Sequence, residues 1–469
     1  MRETNWAGNH TYRAGTLHRP SSVDQVRELV AGASRLRVLG SRHSFTDIAD
    51  SAALLSLDGL PAEVVVDHAA GTVSCSGGLR YGELAEALAA EGVALHNLAS
   101  LPHISVAGAV ATATHGSGDA NGNLATAVAG LELVTASGET LTASRGDPDF
   151  DGLVVGLGAL GAVTRLTLDV EPAYQVRQRT FEGLAWASLY EHLDAVTSAG
   201  YSVSLFTRWG EQVEQVWVKS RVTGEPEQVR DELFGAVPAT VDRHPILGID
   251  PVNCTPQLGV PGPWSDRLPH FRMGFTPSSG DELQSEYLVP RGQAVAALES
   301  LRVLAGVVRP VLQVSELRTV AADRLWMSPQ YGQDTLAVHF TWLPDRAGVE
   351  RALVGDSADG YPGLPGWGSR AAAAVLAHYG TIEAVPDAPG QWAVTLRNRP
   401  ALAATLRAQR RLAMLFKDLA TLRVERSLLP DVDALRWTGP TPLFGEVCQR
   451  IDARSLATAA ARVAGQRRP

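Results

Sequence analysis

Apolar residues recur three and four apart from Val23 to Ala31 and from Tyr81 to Glu91, the spacing that gives a helix one buried side. Around them lie shorter runs with a period of two. Leu36 to Leu39 reads as a strand, Val64 to Val66 and Thr72 to Ser76 as a strand pair, and Leu131 to Thr135 and Val163 to Val170 as two more. Glu171-Pro172 then interrupts the pattern where a domain boundary would fall. Beyond it, Val203 to Thr207, Val213 to Val218 and Glu286 to Val289 are extended, a proline-rich stretch runs from Pro245 to Pro277, and Gln293 to Leu304 is an amphipathic helix. The pattern predicts an α+β chain with a first domain over 1–172 and a second over 173–344, in which a sheet carries helices on one face. Residues 345–469 form a segment rich in alanine and arginine, with helix-forming composition from Ala401 to Leu422.

Two stretches carry chemistry. Arg37-Val38-Leu39-Gly40-Ser41-Arg42-His43-Ser44-Phe45 is answered by Ser100-Leu101-Pro102-His103-Ile104-Ser105-Val106-Ala107-Gly108, and then by Thr112-Ala113-Thr114-His115-Gly116. In each, an apolar run gives way to glycines and hydroxyl residues, so backbone N–H groups and hydroxyls can converge on phosphate oxygens. Either loop alone is most simply a turn; together they read as a nucleotide cradle. A dinucleotide fingerprint opening a helix is absent, which argues against a Rossmann unit. The only lysines, Lys219 and Lys417, are distant in sequence, so backbone and hydroxyl donors would do the gripping.

The balance of charge narrows the partner. A net charge of −9 and a pI near 5.8 lack the concentrated positive charge that nucleic acid or an anionic membrane demands. A small-molecule partner is expected. The start, Met1-Arg2-Glu3-Thr4-Asn5-Trp6, has no apolar leader and no run is long enough to span a bilayer, so a cytoplasmic location is expected; a monomer is expected as well. Cys75, Cys254 and Cys448 are far apart and form neither a disulfide framework nor a metal motif.

At these loops the chain resembles the FAD-linked oxidases of the vanillyl-alcohol oxidase type, and within them the alditol (xylitol) oxidases and the related sugar-lactone oxidases. The likeness begins at Asn5-Trp6-Ala7-Gly8-Asn9 and passes through both loops and Gly158-Ala159-Leu160-Gly161-Ala162-Val163-Thr164. It continues through Val252-Asn253-Cys254-Thr255, Thr276-Pro277-Ser278-Ser279-Gly280 and Glu316-Leu317-Arg318-Thr319-Val320-Ala321-Ala322-Asp323 to His339-Phe340-Thr341-Trp342, and fades after Pro344. It implies a two-subdomain FAD-binding domain of that type, joined to a substrate (cap) domain with a mixed or antiparallel sheet covered by helices.

The resemblance also assigns residues. Gly40, Ser41, Arg42, His43, Ser44, Ser100, Ser105, Gly108, Thr112, Thr114, His115 and Val163 would contact FAD, with His43 the tether for a covalent flavin and Arg42 standing where relatives often have glycine. Ser100, Gln284, Glu316, Arg318 and Thr341 would bind a polyol, with Glu316, Arg318 and His339 catalytic and no metal. Ala99 would lie on the path of oxygen to the flavin. From spacing alone, Glu316 and Arg318 point the same way from one strand, as do His339 and Thr341. That arrangement suits either a solvated ion pair or a polyol pocket, whose ligand calls for both charged acceptors and forked donors.

The implied reaction is oxidation of a terminal alditol alcohol to the aldose, with oxygen reduced to hydrogen peroxide. Two alternatives stay open: sugar-1,4-lactone oxidation on the same scaffold, and an inactive flavin-binding relic. The relic arises because alditol oxidases carry a His-Trp-Gly-Lys segment downstream, whereas here Gly366-Trp367-Gly368-Ser369 is the nearest echo. A reading-frame change in a GC-rich gene, or a fused segment, would account for 345–469; the abrupt loss of similarity and the alanine and arginine excess favour the first.

Overall fold

A computed structural model describes residues 3–8, 10–224, 231–274, 282–343, 364, 366–379 and 381–420. Asn9 and the Thr276–Gly280 motif lie outside the described residues. The chain divides into two compact units, 1–346 and 347–469; the two domains expected on either side of Pro172 both lie in the first.

Among the described residues the amino-terminal part holds two main sheets and a short antiparallel pair, Val93–Ala94 with Glu171–Pro172. Strands β1 (Thr16–His18), β2 (Arg37–Leu39) and β3 (Ala53–Ser56) make a small parallel sheet in the order β1-β3-β2, against which α1 (Val23–Gly32) buries Val26. Ser22 caps α1 by accepting a hydrogen bond from the Gln25 N–H. The second sheet is antiparallel, built from β4 (Val64–Asp67), β5 (Thr72–Ser76), β6 (Val128–Val134), β7 (Thr140–Ser144) and β8 (Ala162–Asp169) in the order β4-β5-β8-β6-β7. Helices α2 (Tyr81–Ala90) and α3 (Val106–Ala111) cover it, and Leu84, Leu88, Val106, Leu131, Leu133, Leu166 and Leu168 share one core.

The second part is one antiparallel sheet: β9 (Gln175–Ala185), β10 (Ser202–Thr207), β11 (Gln212–Arg221), β12 (Leu283–Pro290), β13 (Leu312–Val320) and β14 (Thr335–Trp342), in the order β9-β11-β10-β13-β14-β12. Helices α4 (Trp186–Thr197) and α5 (Ala294–Val303) pack on one face, burying Leu189, Val196 and Leu298 against Val216, Leu317, Val338 and Phe340. Because strand side chains alternate, the intervening Lys219, Glu316, Arg318, His339 and Thr341 lie on the other face. That face meets the first part: the Gly118 N–H donates to the Thr319 carbonyl at 2.9 Å, and the Ala321 N–H to that of Asn121 at 2.9 Å.

The second unit has its own core. Helices α6 (Ser369–Tyr379) and α7 (Arg399–Ala420) bury Trp367, Val375, Ile382, Trp392, Leu402 and Leu406 together, with the Trp367 indole donating to the Leu402 carbonyl at 3.1 Å. Among the described residues no helix is long and apolar enough to cross a membrane.

Candidate active site

The two glycine-hydroxyl loops meet face to face. Ser41 Oγ accepts from the Ser105 N–H at 2.9 Å, while the Ser41 N–H donates to Ser105 Oγ at 3.3 Å. This reciprocal clasp draws the backbones so close that a Cβ on Gly40 or Gly108 would sit 2.6 or 2.5 Å from Ser105 Oγ. A cleft of about 360 Å³ opens beside it, lined by Gly40, Ser41, Arg42, His43, Ser44, Ser105, Gly108, Thr112, Thr114 and Val163. His43 lies in this cleft, stacked on Trp6 at 5.0 Å, with Nδ1 3.0 Å from Ser41 Oγ and a buried Nε2 that has no partner. Burial, with the nearby His103, pushes its pKa down to about 4, so the ring is neutral near pH 7.

A second cluster lies where the sheet meets the first part. The Arg318 guanidinium donates to Glu286 Oε1 at 2.7 Å, and to Ser100 Oγ and the His115 carbonyl at 3.4 Å each. His115 Nε2 lies 3.1 Å from Glu286 Oε2. Glu316 stands 3.7 Å from Arg318 and 2.7 Å from His270 Nε2, and His339 Nε2 is 3.2 Å from Gln284 Oε1. Register assembles this row, since Glu286 of β12 and Glu316 of β13 both pair with His339 of β14.

Glu316 and Arg318 are buried, while Glu286 keeps a quarter of its side chain exposed; the loss of water alone would raise both carboxyls. Arg318 and His270 nevertheless hold Glu316 well below the usual carboxylate range, and His115 and Arg318 do the same for Glu286. Both therefore stay ionised at neutral pH, as hydrogen-bond acceptors.

Comparison with known proteins now bears on this geometry. Residues 16–144 match the family described as FAD binding domain, and residues 344–442 that described as 5'-3' exonuclease, C-terminal SAM fold. An alditol oxidase of Streptomyces sp. is 49% identical over 386 residues, covering 80% of this chain and 92% of that protein. The chain belongs to the alditol oxidase family. An L-gulono-1,4-lactone dehydrogenase of Mycobacterium tuberculosis is a more distant relative of this alditol oxidase homologue, at 30% identity over 83% of the chain and 92% of its own length. Cholesterol oxidase from Brevibacterium sterolicum shares the fold, with a TM-score of 0.59 at 15% identity over 75% of this chain and 81% of that one.

FAD is the cofactor of this family member, and the clasped loops suit it: close backbone approach at Gly40 and Gly108, hydroxyls at Ser41, Ser105, Thr112 and Thr114, and a neutral imidazole with a free nitrogen. Two residues assigned to the cofactor do not line the cleft beside these loops and reach elsewhere. The His115 side chain engages Glu286, and Ser100 Oγ accepts from Arg318. Glu286 itself was missed by the motif reading, although it lies two residues from Gln284 on one strand and so shares its face. His270 and Lys219 were missed too. His270 sits in the proline-rich stretch, where no periodicity marks a buried ring, and Lys219 ends an apolar strand.

Proposed function

We propose that this alditol oxidase family member oxidises the terminal alcohol of alditols such as xylitol and sorbitol to the aldose, with oxygen as acceptor. One observation carries the reading: a row of ionised carboxylates and a guanidinium, half-buried Glu286 with buried Glu316 and Arg318, and Ser100 beside it, in a chain 49% identical to an alditol oxidase. FAD held between residues 40–44 and 105–114 would supply the two-electron chemistry, taking the electrons of the alcohol with oxygen as the final acceptor and hydrogen peroxide as the co-product.

The protein's own part is placement and charge. Glu316 and Glu286 accept hydrogen bonds from polyol hydroxyls, Arg318, Ser100 and Thr341 fix the chain of the substrate, and His339 with Gln284 orients the reacting end. Arg318 also stabilises negative charge developing on oxygen. His43 would tether the flavin covalently; its ring, held by Trp6 and Ser41 with a buried, unpartnered Nε2, supports that role. The test is direct. Purified protein should be yellow, keep its flavin through acid precipitation, and release peroxide with xylitol but not with a sugar-1,4-lactone. Turnover of the lactone alone would favour the dehydrogenase-like reading instead.

For 345–469 we take the fused reading over the frame change, because the segment has a core of its own and matches a family of its own. Its charge also differs: it carries 17 of the 41 Lys+Arg but 12 of the 50 Asp+Glu, a net of +5 where the rest of the chain has −14. A polyanion such as nucleic acid is the partner chemistry that suits such a segment. A mobility shift of duplex DNA by the full chain, absent in a chain ending at 343, would support it.

A further inference from the structure

His270 touches two of the groups assigned to the polyol at once. Its Nε2 lies 2.7 Å from Glu316 Oε1, and its backbone N–H donates to the Ser100 carbonyl at 3.0 Å. The ring is buried and boxed edge-on by Trp217 at 5.2 Å and Phe206 at 5.4 Å, so it cannot swing away without disturbing that packing. Behind it stands Lys219, fully buried on β11. Its Nζ donates to the Leu268 carbonyl, to the Pro269 carbonyl at 3.3 Å and to His270 Nδ1 at 3.0 Å. An ammonium has three donors and no lone pair. Burial lowers the Lys219 pKa to about 7, so below that pH the group is an ammonium with three acceptors around it; Nδ1 then receives a hydrogen bond, which leaves the imidazole proton on Nε2, aimed at Glu316.

The geometry points to Lys219 and His270 as positioning residues for the polyol site: the ammonium sets the tautomer of His270, whose Nε2–H then holds one oxygen of Glu316 and leaves the other for a substrate hydroxyl. Without that bond the carboxylate can turn toward Arg318, its other charged neighbour at 3.7 Å, and form the two-pronged pair that guanidinium and carboxylate favour. The acceptor would then be spent inside the protein. This rests on the reading that Glu316 and Ser100 meet the polyol, and it adds the residues that aim them.

The test uses the full-length flavoprotein with xylitol across pH, together with the visible flavin spectrum, the melting temperature and the ring ¹⁵N shifts of His270. The ¹⁵N shifts should report the Nε2–H tautomer in the wild type. His270→Phe keeps ring bulk but loses the donor; kcat/KM should fall about 10- to 100-fold, and the acid limb of its pH profile should move upward. The charged groups facing the pair are Arg318 and His339 around Glu316, and Lys219, Glu316 and Arg318 around His270; none of the others is changed by this substitution. His270→Gln, which can still donate, should recover to within a few-fold. Lys219→Met should lose activity and blur the tautomer signal. Wild-type kcat/KM and an unmoved acid limb in His270→Phe, or an equal loss in Phe and Gln variants that both keep their flavin and melting temperature, would overturn the proposal. Should His270→Phe fail to fold, Lys219→Met and His270→Gln decide between the same outcomes. If Glu316→Gln itself turns xylitol over at the wild-type rate, the polyol reading has failed rather than the positioning alone.

Discussion

Arg42 has a φ of +66°, a left-handed conformation that glycine adopts freely and that costs other residues about 1–2 kcal/mol. The Arg42 guanidinium pairs with Glu3, and the Arg42 carbonyl accepts from the Trp6 N–H at 2.7 Å. At Gly108 the constraint is contact: an added Cβ would meet Ser105 Oγ, which the clasp with Ser41 keeps from yielding. Gly108→Ala should therefore cut the flavin-to-protein absorbance ratio by more than half, and full retention would show that Ser105 can move aside. Glu316→Gln keeps shape and removes charge. Xylitol turnover should fall by about 100-fold or more, with the flavin spectrum intact; steady-state kinetics beside a visible spectrum checks both halves.

At the scale of elements, the period of two along β13 separates the roles of adjacent residues. Leu317 enters the helix-covered core and is buried with Val338 and Phe340, while Glu316 and Arg318 face the site. Truncating Leu317→Ala should cost about 2–5 kcal/mol through lost transfer and a cavity, read as a lower denaturant midpoint with kcat/KM for the folded fraction largely kept. A change below about 1 kcal/mol would mean the core closes over the gap. Alternation made Glu316 and Arg318 legible as a pair before any coordinates. Their neighbours were not legible, because β12, β13 and β14 are consecutive in chain order but not in space: β14 lies between the other two, and only that order brings Glu286 and Glu316 to either side of His339.

For the whole molecule, acid is the vulnerable side. Burial, with Lys219 adding to it, lowers His270 to about 4, so the folded state keeps a neutral ring that the unfolded chain protonates below about 6.5. Between those values the unfolded state binds more protons, and stability must fall as pH falls. His96 and His339 are lowered by burial in the same sense, and the depressed Glu316 and Glu286 add a loss below the ordinary carboxylate range. The melting temperature should drop steadily from pH 7 to pH 5; a flat profile would contradict this origin. Since 1–346 and 347–469 have separate cores, removing the second unit should leave the flavin content and the first unit's unfolding transition in place, which calorimetry of both chains can check.

Local pattern by itself marked α1, α2, α5 and several of the strands, though not β9, α3 or α4; it also showed where the glycine-hydroxyl loops fall and that Glu316 and Arg318 share a face, because these follow from periods of 3.6 and 2 and from backbone freedom along a few residues. Tertiary structure alone decided which side chains meet across long separations. Ser41 finds Ser105, His115 leaves the cofactor loops to hold Glu286, and Lys219 reaches His270 across some fifty residues of chain. Those meetings depend on strand order and loop docking, and the free energy that selects them comes from burying the whole core, which no short stretch of the chain contains.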